Sequence, residues 1–234
     1  MMHVSMDGIL IVDKPQGRTS HDVVDFVRRR FSIRKVGHAG TLDPLATGVL
    51  VVLLGQATKQ ARRFMNDDKE YDATLRLGIT TDSGDAWGKV LSTREPIQVE
   101  SGRIEQVFQE FRGEILQIPP MVSALKYKGR RLYKLAREGK VVPRLPRRVT
   151  LHELAITEIR LPWIDFHLTS SKGTYVRTLC HDIGERLGCG AHMSRLMRVR
   201  SGGFRLSDGV TIPELERMGV RELAGRIRIV QEIA

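Results

Sequence analysis

The chain has 234 residues, 41% of them hydrophobic, and a formal net charge of +11. That length suits one large domain or two small ones, and the apolar fraction excludes a disordered chain. Two cysteines, Cys180 and Cys189, exclude a disulfide scaffold, and the longest clean apolar run, residues 49–54, is far short of the ~20 residues of a membrane helix. In chain order, residues 8–12 predict a short strand ending at the turn Asp13-Lys14-Pro15-Gln16-Gly17. The first twelve residues, Asp7 among them, show no signal-peptide pattern, so the expectation is a soluble cytoplasmic protein. Thr19 or Ser20 caps a helix running to about residue 31, with Val23, Val27 and Phe31 on one face.

Residues 37–48 read as a loop rich in glycine and proline, and 49–54 as a buried strand. Residues 70–78 alternate, with Tyr71, Ala73, Leu75 and Leu77 on one side, as a half-buried strand does. A polar loop follows at 80–88. Residues 101–111 predict an amphipathic helix with Ile104, Val107, Phe108 and Phe111 in one stripe. Pro119-Pro120 interrupts regular structure, and a short helix is expected near 132–137. Residues 149–160 and 164–170 read as two strands, 174–187 as a helix, and 196–199 as a strand. Thr211-Ile212-Pro213-Glu214 reads as a helix start. Strands and helices mix without a regular βαβ beat, so the fold class is α+β with a mixed sheet.

The positive charge is concentrated. Between residues 122 and 148 stand ten basic residues, Lys126, Lys128, Arg130, Arg131 and Arg137 among them, with Glu138 the only acid. Tyr127 and Tyr133 are interleaved. Arginine binds phosphate bidentately and stacks on bases, and aromatic faces do the latter too. This pattern points to nucleic acid, and like-charge repulsion with little apolar content predicts a mobile segment.

Several chemistries have no carrier. There is no GxxxxGK[ST] loop, no GxGxxG fingerprint and no zinc-deaminase signature. His152-Glu153 starts an HExxH that fails at Ile156. Cys180, His181, Cys189 and His192 match no zinc spacing, so neither a metal nor a cofactor is expected.

Three segments carry candidate chemistry. Residues 37–48, GHAGTLDPLATG, set Asp43 before a proline, which biases its backbone to be extended. Tyr71 opens the alternating strand after Lys69-Glu70. Arg177 follows Gly173-Thr174-Tyr175-Val176 into the first turn of a helix, where a cation opposes the macrodipole and calls for a nearby anion: a carboxylate such as Asp43, or a phosphate.

These segments, with Ile11–Gly17 (IVDKPQG), Thr81-Asp82-Ser83-Gly84-Asp85, residues 119–126 (PPMVSALK) and residues 187–192 (LGCGAH), make the chain resemble the TruB-type tRNA pseudouridine synthases. That family isomerises uridine 55 in the T-loop of tRNA. The likeness runs from about residue 8 to about residue 215. It implies a pseudouridine synthase fold: a mixed, largely antiparallel central sheet with flanking helices and a basic thumb insertion. It makes Asp43 the catalytic aspartate, with Tyr71 stacking on the flipped base and Arg177 paired with Asp43. Tyr175 and Leu196 would line the pocket, Lys14 and Pro15 would brace the loop, His38 would meet the T-loop, and Asp85 would contact RNA.

The chemistry suits these residue types. The N1–C1′ bond breaks, the base turns, and a C5–C1′ bond forms, with no redox change. An ionised carboxylate can attack covalently or take a proton from the ribose 2′-carbon, and a neighbouring guanidinium keeps it ionised. The base must first leave its stack.

The expected organisation is a catalytic domain over 1–215, with the thumb at about 120–148, and a short extension over 216–234 in place of a full PUA domain. The expected partner is the tRNA T-arm, bound by a monomer without a guide RNA or a membrane. A T-arm-binding folding module is the alternative reading; Asp43, Tyr71 and Arg177 together favour the enzyme.

Overall fold

The computed structural model describes residues 6–95 and 97–230. In chain order the elements are β1 (Gly8–Lys14), α1 (Ser20–Arg30), β2 (Val36–Ala39), β3 (Thr47–Leu54), a 3-10 turn (Gly55–Gln60), α2 (Ala61–Met65), β4 (Lys69–Leu77), β5 (Ile79–Thr81), β6 (Val90–Thr93), α3 (Ser101–Glu110) and β7 (Gly113–Gln117). There follow β8 (Lys126–Tyr127), β9 (Arg130–Arg131), α4 (Leu132–Arg137), β10 (Arg147–Arg160), β11 (Trp163–Ser170), α5 (Val176–Arg186), β12 (Ala191–Ser201), β13 (Phe204–Arg205), β14 (Val210–Thr211), α6 (Ile212–Arg217) and α7 (Val220–Arg226). They divide into two compact units, Met1–Tyr71 with Met197–Ala234, and Asp72–Leu196.

The first unit is built on β1 and β3, which pair antiparallel over their length, Ile9 opposite Leu53 and Ile11 opposite Val51. β3 is apolar on both faces and buried from Gly48 onward, the pattern of a central strand covered on both sides. β14 joins β1 in parallel, β2 joins β3 antiparallel, and β12 joins β3 in parallel with Arg198 opposite Gly48. Ile9, Ile11, Val49, Val51 and Leu53 form one side of the core with Phe64 and Phe204, whose ring centroids lie 6.0 Å apart. Thr19 caps α1 reciprocally with Asp22, and Thr211 caps α6 with Glu214.

In the second unit β10 pairs antiparallel with both β11 and β7. Ile164, Phe166 and Leu168 of β11 are buried, as are Ile104, Val107 and Phe108 of α3, and Phe108 meets Phe166 edge-on at 5.6 Å. The mixed, largely antiparallel sheet with flanking helices is as expected.

Four boundaries differ. The first residues of the loop expected at 37–48 belong to β2, Val36–Ala39, because Val36 and Ala39 are buried against β3. Residues 79–81 form β5, paired with β6. The strand expected at 196–199 runs over Ala191–Ser201, and the helix expected from 174 starts at Val176. β7 and α7 are not legible in the sequence: β7 is almost wholly exposed and is a strand by virtue of pairing with β10. Among the described residues no helix is long and apolar enough to cross a membrane.

Candidate active site

Asp43 is held by its two neighbours. Ser20, fully buried at the start of α1, grips Leu42 twice: its Oγ donates to the Leu42 carbonyl at 3.1 Å and accepts from the Leu42 amide at 2.8 Å. On the other side the Pro44 carbonyl accepts from the Gly17 amide at 2.8 Å. The Ala46 amide closes a turn onto the Asp43 carbonyl at 3.0 Å. The loop's geometry is thus fixed by α1 and by the turn after β1, leaving Asp43 partly exposed.

Lys14 ties that turn together. Its side chain is fully buried, and Nζ donates to the Pro15 carbonyl at 2.9 Å and the Arg18 carbonyl at 2.6 Å, with the Pro44 carbonyl oxygen at 3.5 Å. Burial lowers its pKa to about 8, against the opposing pull of the Asp43 carboxylate. His38 projects from β2 with a buried Nδ1 that has no hydrogen-bond partner among the described residues. Burial, and after it the Arg198 charge, lowers its pKa, so the ring is held neutral.

Tyr71 is buried near the start of β4. Lys69, two residues earlier and also buried, donates to the Phe64, Met65 and Asp67 carbonyls, closing the end of α2 and anchoring the strand that presents Tyr71. Arg198 on β12 is fully buried and hydrogen-bonds the Tyr71 side chain. Sequence reasoning does not find Ser20 or Arg198 as parts of the site, and it names Lys69 only within the motif that carries Tyr71. Lys69 stands in plain view beside Tyr71; the other two carry no local signal.

The remaining candidates belong to the second unit. Arg177 is 3% exposed in the first turn of α5. Its Nη1 donates to the Ser83 carbonyl and its Nη2 to the Val122 carbonyl, each at 2.7 Å, and its Nε lies 3.8 Å from Asp85 Oδ2. The anion called for at the helix start therefore includes Asp85, for which the sequence resemblance implies an RNA contact. Asp85 is itself buried, and its Oδ1 accepts from Ser83 Oγ at 2.7 Å and the Trp87 amide at 3.1 Å. Tyr175 is pinned through its backbone by the buried Gln117, whose Oε1 accepts from the Tyr175 amide at 3.0 Å and whose Nε2 donates to its carbonyl at 3.3 Å. Leu196, buried on β12, is the last residue of this unit.

The basic segment is a two-stranded ribbon, β8 and β9, leading into α4. Lys126, Lys128, Arg130, Arg131 and Arg137 are all exposed. Arg137 lies over the Tyr133 ring and Lys128 over that of Tyr127. The expectation of little apolar anchorage does not hold, since Leu132 and Leu135 of α4 are buried.

Residues 28–176 match the family model described as TruB family pseudouridylate synthase (N terminal domain), and residues 177–226 match that of the tRNA pseudouridylate synthase B C-terminal domain. A protein named tRNA pseudouridine synthase B from Syntrophotalea carbinolica is 53% identical over 91% of this chain and 70% of its own length. One of the same name from Opitutus terrae is 44% identical over 98% of this chain and 95% of its own. Among solved structures, the chain superposes with a TM-score of 0.75 and 32% identity on a chain of a Cbf5-Nop10-Gar1 complex, covering 97% of this chain and 61% of that one. Family models spanning most of the chain, and relatives this similar along nearly its whole length, place it: the chain belongs to the TruB family of pseudouridylate synthases.

Proposed function

We propose that this chain isomerises uridine to pseudouridine at position 55 in the T-loop of tRNA, with Asp43 as the catalytic carboxylate. The observation that carries the reading is the fixed loop of the first unit. Asp43 stands partly exposed between two neighbours whose backbones are bolted down, Leu42 by Ser20 and Pro44 by Gly17. The relatives named tRNA pseudouridine synthase B support tRNA as the substrate.

In this reading the target uridine leaves its stack and lies against Tyr71. Asp43 either attacks C1′ or removes a proton from C2′, and the N1–C1′ bond breaks; the uracil turns, and C5 bonds to C1′ as the Asp43–C1′ bond breaks or the proton returns to C2′, while N1 takes up a proton. Restoring the uracil ring's conjugation then requires loss of the C5 proton, with the Tyr71 phenol as relay. Of the second unit's residues, Arg177 supplies a cation for an anionic group of the substrate, and Tyr175 and Leu196 supply contacts to the base. Asp85 aims Arg177 through the ion pair described above, and Lys14 holds the loop in register. The exposed cations of β8, β9 and α4 take the phosphates of the arm.

The test is direct. Unmodified tRNA incubated with the purified chain should acquire one pseudouridine, mapped to the T-loop uridine. No pseudouridine, or pseudouridine elsewhere only, overturns the assignment.

A further inference from the structure

We propose that Arg198 is a positioning residue for this reaction: it locks the Tyr71 phenol to the loop that carries Asp43. Among the described residues Arg198 heads the fully buried side chains by volume, at 1% exposure. It sits on β12 where that strand runs parallel to β3, opposite Gly48. Its Nε donates to the Val49 carbonyl at 2.8 Å and its Nη2 to the Gly40 carbonyl at 3.0 Å. Those two carbonyls bracket Asp43, three residues before it and six after. Its third partner is the Tyr71 side chain. One planar fork therefore joins both ends of the catalytic loop to the residue proposed to hold the base.

The glycines of GHAGTLDPLATG make room for it. A Cβ on Gly48, whose φ is +94°, would stand 2.3 Å from the Arg198 carbonyl oxygen. On Gly40, with φ +85°, a Cβ would lie 3.4 Å from Nη1. Both positions accept only glycine without strain, and both face Arg198.

A purely structural role would not need a cation here. Among the described residues no carboxylate pairs with Arg198, and its partners are neutral dipoles. Burying an uncompensated guanidinium is costly, and an apolar side chain of similar volume is the cheaper filler. The guanidinium supplies something a hydrocarbon cannot. It only donates hydrogen bonds and does not lose its proton. The Tyr71 oxygen must therefore accept from Arg198, which turns the phenol O–H away from the guanidinium and leaves it to donate to another acceptor, the place a bound base would fill.

This inference rests on the reading of Tyr71 given above, and two independent measurements test it. The first is single-turnover isomerisation at saturating tRNA for Arg198→Met and Arg198→Lys, each in wild-type and Tyr71→Phe backgrounds. Arg198→Met should slow the chemical step about a hundredfold, the usual cost of a lost oriented donor, with tRNA affinity within about threefold. In the Tyr71→Phe background the further loss should be under about threefold, because coupled residues are not additive. Equal losses in both backgrounds, or an unchanged rate, overturn the proposal. The second measurement needs no turnover: the Cζ chemical shift of labelled Tyr71, which reports the hydrogen bond its phenol oxygen accepts from Arg198. It should move in Arg198→Met and move less in Arg198→Lys, which keeps a donor and loses the fork. If Arg198→Met does not fold, the Arg198→Lys comparison decides, and an unmoved Tyr71 resonance overturns the proposal. A wild-type chain that forms no pseudouridine would instead remove the functional reading, and the Tyr71 resonance would still report on Arg198.

Discussion

Asp43 and Lys14 can be separated by what each is asked to supply. Asp43 supplies a carboxylate, and the backbone bonds at Leu42 and Pro44 hold its loop in position. Asp43→Asn is nearly isosteric and should fold, bind tRNA with wild-type affinity, and form no pseudouridine. Turnover within about tenfold of wild type, which would mean a barrier change below ~1.4 kcal/mol, removes Asp43 from its role. Lys14 supplies a buried cation at a cost that pH reveals. Its folded-state pKa is lowered from 10.5 to about 8 by burial. Below pH 8 the folded and unfolded states both hold the proton, and the fold bears the buried charge. Between about 8 and 10.5 the folded state has released it while the unfolded chain still binds it, so this residue's contribution to stability rises with pH. Wild type should therefore gain on Lys14→Met by ~3 kcal/mol across that window, a pKa difference of one being worth about 1.4 kcal/mol. Urea unfolding at the two ends checks it, and a constant difference would mean Lys14 titrates as an exposed lysine does.

The elements show what a sequence can and cannot announce. α1, α3, β3, β4 and α4 are legible because their burial follows a period of 3.6 or 2, or is continuous. The helix expected at 132–137 coincides with α4, Leu132–Arg137. β2, β5 and β7 are not legible, since such short strands exist through the partners they pair with rather than through a pattern of their own. The site divides in the same way. Asp43, Tyr71, Lys14 and Arg177 stand in motifs, whereas Ser20 and Arg198 act across separations of 22 and 149 residues. Gly48 shows the consequence for a single element. Its φ is +94°, and an added Cβ would stand 2.3 Å from the Arg198 carbonyl oxygen, so Gly48→Ala combines backbone strain with a clash at the β3–β12 pairing. It should cost about 2–5 kcal/mol. Gly17→Ala is the control: φ is +90° with nothing within 4 Å of the added carbon, so strain alone should cost about 1 kcal/mol. Equal shifts in urea midpoint would show that the clash is relieved. In the basic ribbon and helix, neutralising Arg130, Arg131 and Arg137 together should flatten the plot of log K against log salt by ~2–3 units, at about 0.7–0.9 per lost phosphate contact. An unchanged slope would place these side chains away from RNA phosphate.

At the scale of the whole molecule, charge and chemistry are divided between the two units. Asp43, Tyr71, Lys14, His38 and Arg198 belong to the first, and Arg177, Asp85, Tyr175, Leu196 and the basic segment to the second. In sequence, the divisions between the units fall after Tyr71 and after Leu196. Every residue proposed to meet the base lies within residues 14–198, with the cations proposed to meet phosphate inside the same span. RNA sequence is read chiefly in loops, where bases can be splayed from the stack and held on aromatic faces. A stem-loop carrying only the T-arm presents the uridine, its flanking loop bases and a few base pairs of phosphate, which is all that these residues ask of a substrate. The isolated arm should therefore be modified with a kcat/KM within roughly tenfold of full-length tRNA, a loss of at most ~1.4 kcal/mol of transition-state binding. The comparison is made with both RNAs transcribed without modification and at one salt concentration, because phosphate contacts make affinity depend on salt. A much larger loss, carried in KM, would mean that this chain draws binding energy from parts of tRNA beyond the arm. A loss carried in kcat would mean that those distant contacts are needed to bring the uridine against Tyr71 and Asp43.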